Sequence, residues 1–203
     1  MSSIQVSGNA SGTGTFQIAA PNSNTNRTLT LPDGTGTFTV SGVNSNIVAG
    51  TAVASTSGTS ITFTGIPSWV KRITVMFDGV STTGTAQPTL RLGNGSIVVI
   101  GYKSNVIQLP NASAIAGATS ANASAIFLTN TWAASYDLIG MLTITNISGN
   151  TWTVASVLGS STTTQGFMST GSLALSSALD RIQITTSNGT DTFDAGSINI
   201  LYE

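Results

Sequence analysis

Along most of the chain apolar residues recur at every second position, not at the 3.6-residue spacing of a helix face. In RITVMFDGV, residues 72–80, Ile73, Val75 and Phe77 fall on one side and Thr74, Met76 and Asp78 on the other, the pattern of a half-buried strand. The same spacing predicts strands at 61–64, 89–92 (TLRL), 96–102 (SIVVIGY), 125–129 (AIFLT), 140–147 (GMLTITNI), 151–158 (TWTVASVL), 172–176 (SLALS), 180–186 (DRIQITT) and 197–203 (SINILYE). Turn formers separate them: Asp78-Gly79, Gly93-Asn94-Gly95, Ser148-Gly149-Asn150 and Ser187-Asn188-Gly189. Many short strands punctuated in this way predict an all-β chain with a jelly-roll-like β-sandwich head over residues 51–203.

The stretch 111–124, NASAIAGATSANAS, is rich in alanine, yet Gly117 and the Asn and Ser residues lower its helix propensity, and no charged residue is present to form an i to i+4 pair. A long surface loop or an irregular strand is expected there. The first fifty residues read differently. Three alternating segments, 15–19 (TFQIA), 27–31 (RTLTL) and 37–40 (TFTV), with Pro32-Asp33-Gly34 as a turn, predict a small meander. Its large apolar side chains are only Phe16, Ile18, Leu29, Leu31, Phe38 and Val40, too few to hold it without cover from the head, from other copies of the chain or from a host assembly. Residues 1–50 are therefore expected to be an N-terminal anchoring meander, with 41–50 a short linker into the head.

Composition narrows the roles. Charged residues make up 6% of the chain, against about 25% in ordinary soluble domains, so hydroxyls and amides must form most of the wet surface. Six basic residues scattered among seven acidic ones offer no patch for a run of phosphates, and no nucleic-acid partner is expected. The longest apolar runs, Ile97 to Ile100 and Leu138 to Leu142, are far shorter than the roughly 20 residues of a membrane helix. The opening MSSIQVSGNASG lacks the basic and apolar regions of a secretory signal, so synthesis in the cytoplasm without membrane insertion is expected.

Candidate chemistry is sparse. With no cysteine and no histidine there is no thiolate or imidazole metal site and no Ser-His-Asp or Cys-His arrangement. Carboxylates remain, and Asp180, Asp191 and Asp194 are the candidates for a glycosidase pair; Asp191 and Asp194 in GTDTFDAG read better as turn and strand-end residues bonding nearby backbone N–H groups. Two carboxylates also fall short of the oxygen ligands a calcium loop supplies. No catalytic residue, cofactor or metal is expected. Trp69 reads as a cap on the sandwich, Trp152, which alternates with Val154, as core, and Lys71-Arg72 as a solvated strand start. Trp132 and Tyr136, in the polar stretch NTWAASYD, are open between loop packing and a receptor patch, since aromatic faces beside amides and hydroxyls suit sugar rings. They are the residues offered for receptor contact.

Three segments resemble a known family. TGTFQIAAPNSNTNRTLTLPDGTGTFTV, residues 13–40, is similar to the N-terminal module of tailed-bacteriophage tail-fibre and related virion proteins. FTGIPSWVKRITVMFDGVST (63–82) and LDRIQITTSNGTDTFDAGSINILYE (179–203) resemble C-terminal heads of phage fibre proteins. The resemblance implies a non-enzymatic structural component of a virion, assembled in the host cytoplasm and homotrimeric. Its partners would be copies of itself, other tail or capsid proteins held through the N-terminal segment, and a host cell-surface glycan or protein. No shaft, heptad or repeat array separates module from head, so a short tail fibre or receptor-binding attachment protein is expected, with a capsid-decorating head fibre or cement protein as the alternative.

Overall fold

A computed structural model describes residues 11–13, 24–26, 47–110 and 115–203. The predicted N-terminal strands at 15–19, 27–31 and 37–40 lie outside the described residues. Residues 42–203 form a compact unit of their own. Within it run β1 (Val48–Ala49), β2 (Val53–Ala54), β3 (Ser60–Thr64), β4 (Arg72–Thr82), β5 (Pro88–Asn94), β6 (Ser96–Ile97), β7 (Tyr102–Pro110), β8 (Ala116–Ala123), β9 (Ile126–Phe127), β10 (Leu138–Ser148), β11 (Thr151–Ser160), β12 (Gln165–Ala174), β13 (Arg181–Thr186) and β14 (Phe193–Tyr202). No helix occurs among the described residues.

The strands form two antiparallel sheets. The larger has the order β1-β14-β4-β10-β11-β12-β7-β8, with β2 also on β14; the smaller has the order β3-β13-β5-β6, with β9 also on β5. Alternation explains how they meet. Ile73, Val75, Leu142, Ile144, Val154, Leu158, Phe167, Ile198 and Ile200 project from the larger sheet, and Ile61, Phe63, Leu90, Leu92, Ile182 and Ile184 from the smaller, into one continuous core. The chain is thus an all-β sandwich. It passes repeatedly between the sheets, from β3 to β4, back to β5, and on to β7, so consecutive strands often face each other across the core.

Two devices fix this path. Tyr102, fully buried, accepts a hydrogen bond at its hydroxyl from Leu92 N at 2.7 Å and donates to Val98 O at 2.9 Å, tying the start of β7 to the crossover from the smaller sheet. Burial pushes this hydroxyl up to about 12. The β4 and β14 ladder shifts register on either side of Ala195. There Gly196 (φ 88°) comes so close to Gly79 that a Cβ on it would sit 2.4 Å from the Gly79 backbone, so only glycine fits.

Several predicted boundaries move. SIVVIGY is not one strand: β6 ends at Ile97, Val99 and Ile100 are exposed, and the chain changes sheets at Gly101 (φ 88°) before β7 begins. The alanine-rich stretch contains an irregular strand, β8, paired with β7; residues 111–114 lie outside the described residues. The strand predicted at 172–176 is the end of β12, which starts at Gln165. Val48–Ala49, in the segment read as a linker, pairs with Leu201 and Tyr202 of β14.

Candidate functional site

One end of the sandwich gathers the loops that follow β4, β9, β11 and β13, together with the end of β7. The loop from β9 to β10 brings Trp132 and Tyr136 together edge to face, ring centroids 5.8 Å apart at 84°. Trp132 is only 6% exposed, and its Nε1–H donates to Thr82 Oγ1 at 2.7 Å. Its faces are therefore spent on the protein, which leaves the half-buried Tyr136 as the accessible member of the pair. A chain of amides runs beneath them. Thr131 N and Oγ1 donate to Gln108 Oε1 at 3.1 and 2.8 Å, Gln108 Nε2 donates to Gln165 Oε1, and Gln165 Nε2 donates to the Tyr136 hydroxyl at 3.2 Å.

Asp137, next in the chain, anchors this loop to the turn after β11. It accepts from Ser160 Oγ at 2.8 Å, Ser161 N at 2.7 Å, Thr162 N at 3.0 Å and Thr162 Oγ1 at 3.1 Å, as well as from Ser161 Oγ. Burial works against its ionisation, but the hydrogen bonds from Ser161, Thr162 and Ser160 outweigh it and hold the carboxyl well below the usual carboxylate range.

Beside this loop, at the lateral edge between the sheets, a cleft of about 250 Å³ opens between β7 and β8 on one side and β9 on the other. Val106 and Phe127 form apolar wall, and Gln87, Ser104, Thr129 and Asn130 supply amides and hydroxyls. Most of these groups are held in place by the protein. Gln87 Nε2 donates to Asn130 O at 3.1 Å while its Oε1 accepts from Ser187 Oγ at 2.9 Å, and Ser104 Oγ accepts from Phe127 N at 3.0 Å. The Thr129 hydroxyl is buried with no hydrogen-bond partner.

The chain is without a match. No family model, curated protein or solved structure matches it as a whole or in part.

The remaining sequence candidates are dispersed. Asp180 accepts from Arg181 Nε at 2.7 Å and from Gly95 N at 3.0 Å, and the bond from Arg181 leads the causes that lower it. Asp191 accepts from Asn188 Nδ2 at 2.8 Å and Ala86 N at 2.9 Å and is likewise lowered, first by Asn188. Asp194 accepts from Ser81 Oγ. Asp180 and Asp191 are thus stabilised anions, whereas a glycosidase acid needs a raised carboxyl. Among the described residues no three acidic side chains converge, and no helix is long and apolar enough to cross a membrane.

Trp69, predicted as a cap, is 52% exposed and tilts over Tyr202 at 6.0 Å. Trp152 is core, as its alternation with Val154 predicts. Lys71 and Arg72 donate their backbone N–H groups to Glu203 O at 2.7 and 2.9 Å, and Arg72 also pairs with the Glu203 carboxylate. Gln87, Ser104, Gln108, Thr129 and Asn130 were beyond reach of sequence reasoning: they lie on three separate segments with no motif among them, and only the fold brings them together.

Proposed function

We propose that the chain is a non-enzymatic bacteriophage virion protein, a short tail fibre or receptor-binding attachment protein, that works as a homotrimer and contacts a host-surface glycan. The observation that carries the binding role is the edge cleft. Its volume is below the 300 to 1,000 Å³ usual for drug-sized ligands, which suits a single ring. Phe127 and Val106 offer apolar surface to the C–H face of a sugar, and Gln87, Ser104 and Asn130 offer fixed amides and hydroxyls to its hydroxyl groups. The virion role is supported by the resemblance of residues 13–40, 63–82 and 179–203 to phage fibre proteins and by a surface with few charges, whose contacts depend little on ionic strength.

Immunogold labelling of intact virions tests the role, and adsorption of the purified full chain to susceptible cells tests the site. Tail labelling, with adsorption weakened by Ala118→Phe, a β8 residue that lines the cleft, is the expected result. Labelling spread over the shell would replace attachment by capsid decoration. Unchanged adsorption of the Ala118→Phe protein would remove the cleft from the reading.

A further inference from the structure

The outer face of the larger sheet breaks the alternation of apolar and polar sides along one line. Met76 of β4 lies opposite Met141 of β10, Met141 opposite Val157 of β11, Val157 opposite Met168 of β12, and Met168 opposite Ile107 of β7. All point away from the core, and Met141 is 54%, Val157 67%, Met168 46% and Ile107 38% exposed. A ridge of large apolar side chains therefore crosses five adjacent strands. The next row, in the same register, is Ile139, Gly159, Gly166 and Leu109. Its two glycines form a trough between Ile139 and Leu109, where a Cβ built on Gly159 or Gly166 would meet nothing nearer than 3.4 or 3.8 Å. Along the outward positions of the five strands the charges are few: Lys103 at the start of β7, and on β4 Asp78 and the first residue, Arg72, which is paired with Glu203.

We propose that this face is where copies of the chain meet, the ridge of one lying in the trough of the next. Three properties favour a copy over another occupant. Ridge and trough run side by side across the same strands, so each chain can give its ridge to one neighbour and its trough to another, the head-to-tail contact that a closed ring repeats. Five strands about 4.8 Å apart and about 30 Å long give a face of roughly 700 Å², close to the roughly 800 Å² that each partner brings to a standard interface. The flank lined by Thr143, Ala155 and Thr170 is uncharged, so packing it against a copy strips water from no charge there. A lipid surface would call for a basic rim, and Lys103 with Arg72, the latter neutralised by Glu203, does not make one. The proposal rests on the trimer reading for its partner and gives that oligomer a surface.

Light scattering on the full chain tests it without reference to virions. The wild type is expected at a multiple of 20.5 kDa, and Val157→Glu at the mass of one chain with unchanged β circular dichroism. A second variant, Thr170→Cys carrying an environment-sensitive fluorophore in a chain with no other cysteine, should shift its emission to the blue as concentration rises. An associated wild type whose mass survives Val157→Glu would overturn the face and leave the oligomer standing. A monomeric wild type would overturn both. If the fluorophore is blue-shifted in a monomer at every concentration, the occupant is another part of the same chain and the proposal is wrong.

Discussion

The outer faces of the two sheets follow the same alternation and end up with opposite chemistry. On the smaller sheet Thr62 lies opposite Gln183, which lies opposite Arg91, and Gln183 Nε2 donates to Thr62 Oγ1 at 3.2 Å. One row along, Arg181 pairs with Asp180. That face is built for water. On the larger sheet the equivalent central row is Met141, Val157, Met168 and Ile107. The inner faces of both sheets are aliphatic and aromatic because any sandwich must bury them. Outward residues are under no such demand, so an outward apolar row says what the face is for where an inward one does not.

The contrast can be broken or sharpened at four levels of effect. Deleting residues 197–203 should be the most severe: it removes buried Ile198 and Ile200 and strips β4 and β1 of their shared neighbour. Insoluble protein is expected, since an open edge and a lost core strand together rival the 5 to 15 kcal/mol that hold a typical domain. A soluble truncation with an unchanged melting temperature would contradict the central place given to β14.

Leu142 and Met141 are adjacent but face opposite ways, inward and outward. In the Val157→Glu background, which separates folding from association, Leu142→Ala should cost about 2 to 5 kcal/mol by urea unfolding, and Met141→Ala under about 1 kcal/mol. Equal losses would mean that the outer row is covered within a single chain.

Asp137 comes next. Its carboxyl is depressed in the folded state, so its contribution is complete above the unfolded value of about 3.9 and is lost as pH falls from there toward the folded value. Asp137→Asn should cost about 1 to 3 kcal/mol at neutral pH and make stability flatter than wild type on acidification below about pH 4. A variant with the wild-type acid slope would remove Asp137 from that role. The smallest effect is expected at Thr62→Glu, on the polar face, where stability should stay within about 0.5 kcal/mol and the mass by light scattering should not change.

How legible each strand is depends on what its inward positions carry. β4, β10, β11, β13 and β14 place large apolar residues inward and were read from spacing alone. In β7 the buried positions are Tyr102, Ser104, Val106 and Gln108, while Ile107 and Leu109 point outward, so both sides mix polar and apolar and no alternation shows. β12 hides behind Ser169 and Gly171 on its inner side and Met168 on its outer. The outer row that makes these strands hard to read is the same one proposed to bind a copy. At the candidate site, Trp132 and Tyr136 were placed correctly in one loop, but the burial of the indole depends on Thr82, fifty residues away. Its partner could not be read from local pattern.

The strand order also sets a timetable for synthesis. β1 and β2 at residues 48–54 pair with β14, and β3 waits for β13 at 181–186. At 5 to 20 residues per second, roughly 6 to 30 s separate the appearance of those early strands from that of their partners. The hairpins joining β7 to β8 and β10 through β12 need no strand beyond β12, and nor do the pairings of β4 with β10 and β7 with β12. The larger sheet is completed by β14, after which Glu203 N donates to Arg72 O at 2.9 Å. A nascent chain therefore carries the unpaired edges of β1, β2 and β3 until β13 and β14 have emerged, and one stopped before them keeps those edges. Emergence of β13 and β14 is the step that gives β1, β2 and β3 their partners and β4 its second, and closes edges that would otherwise invite aggregation.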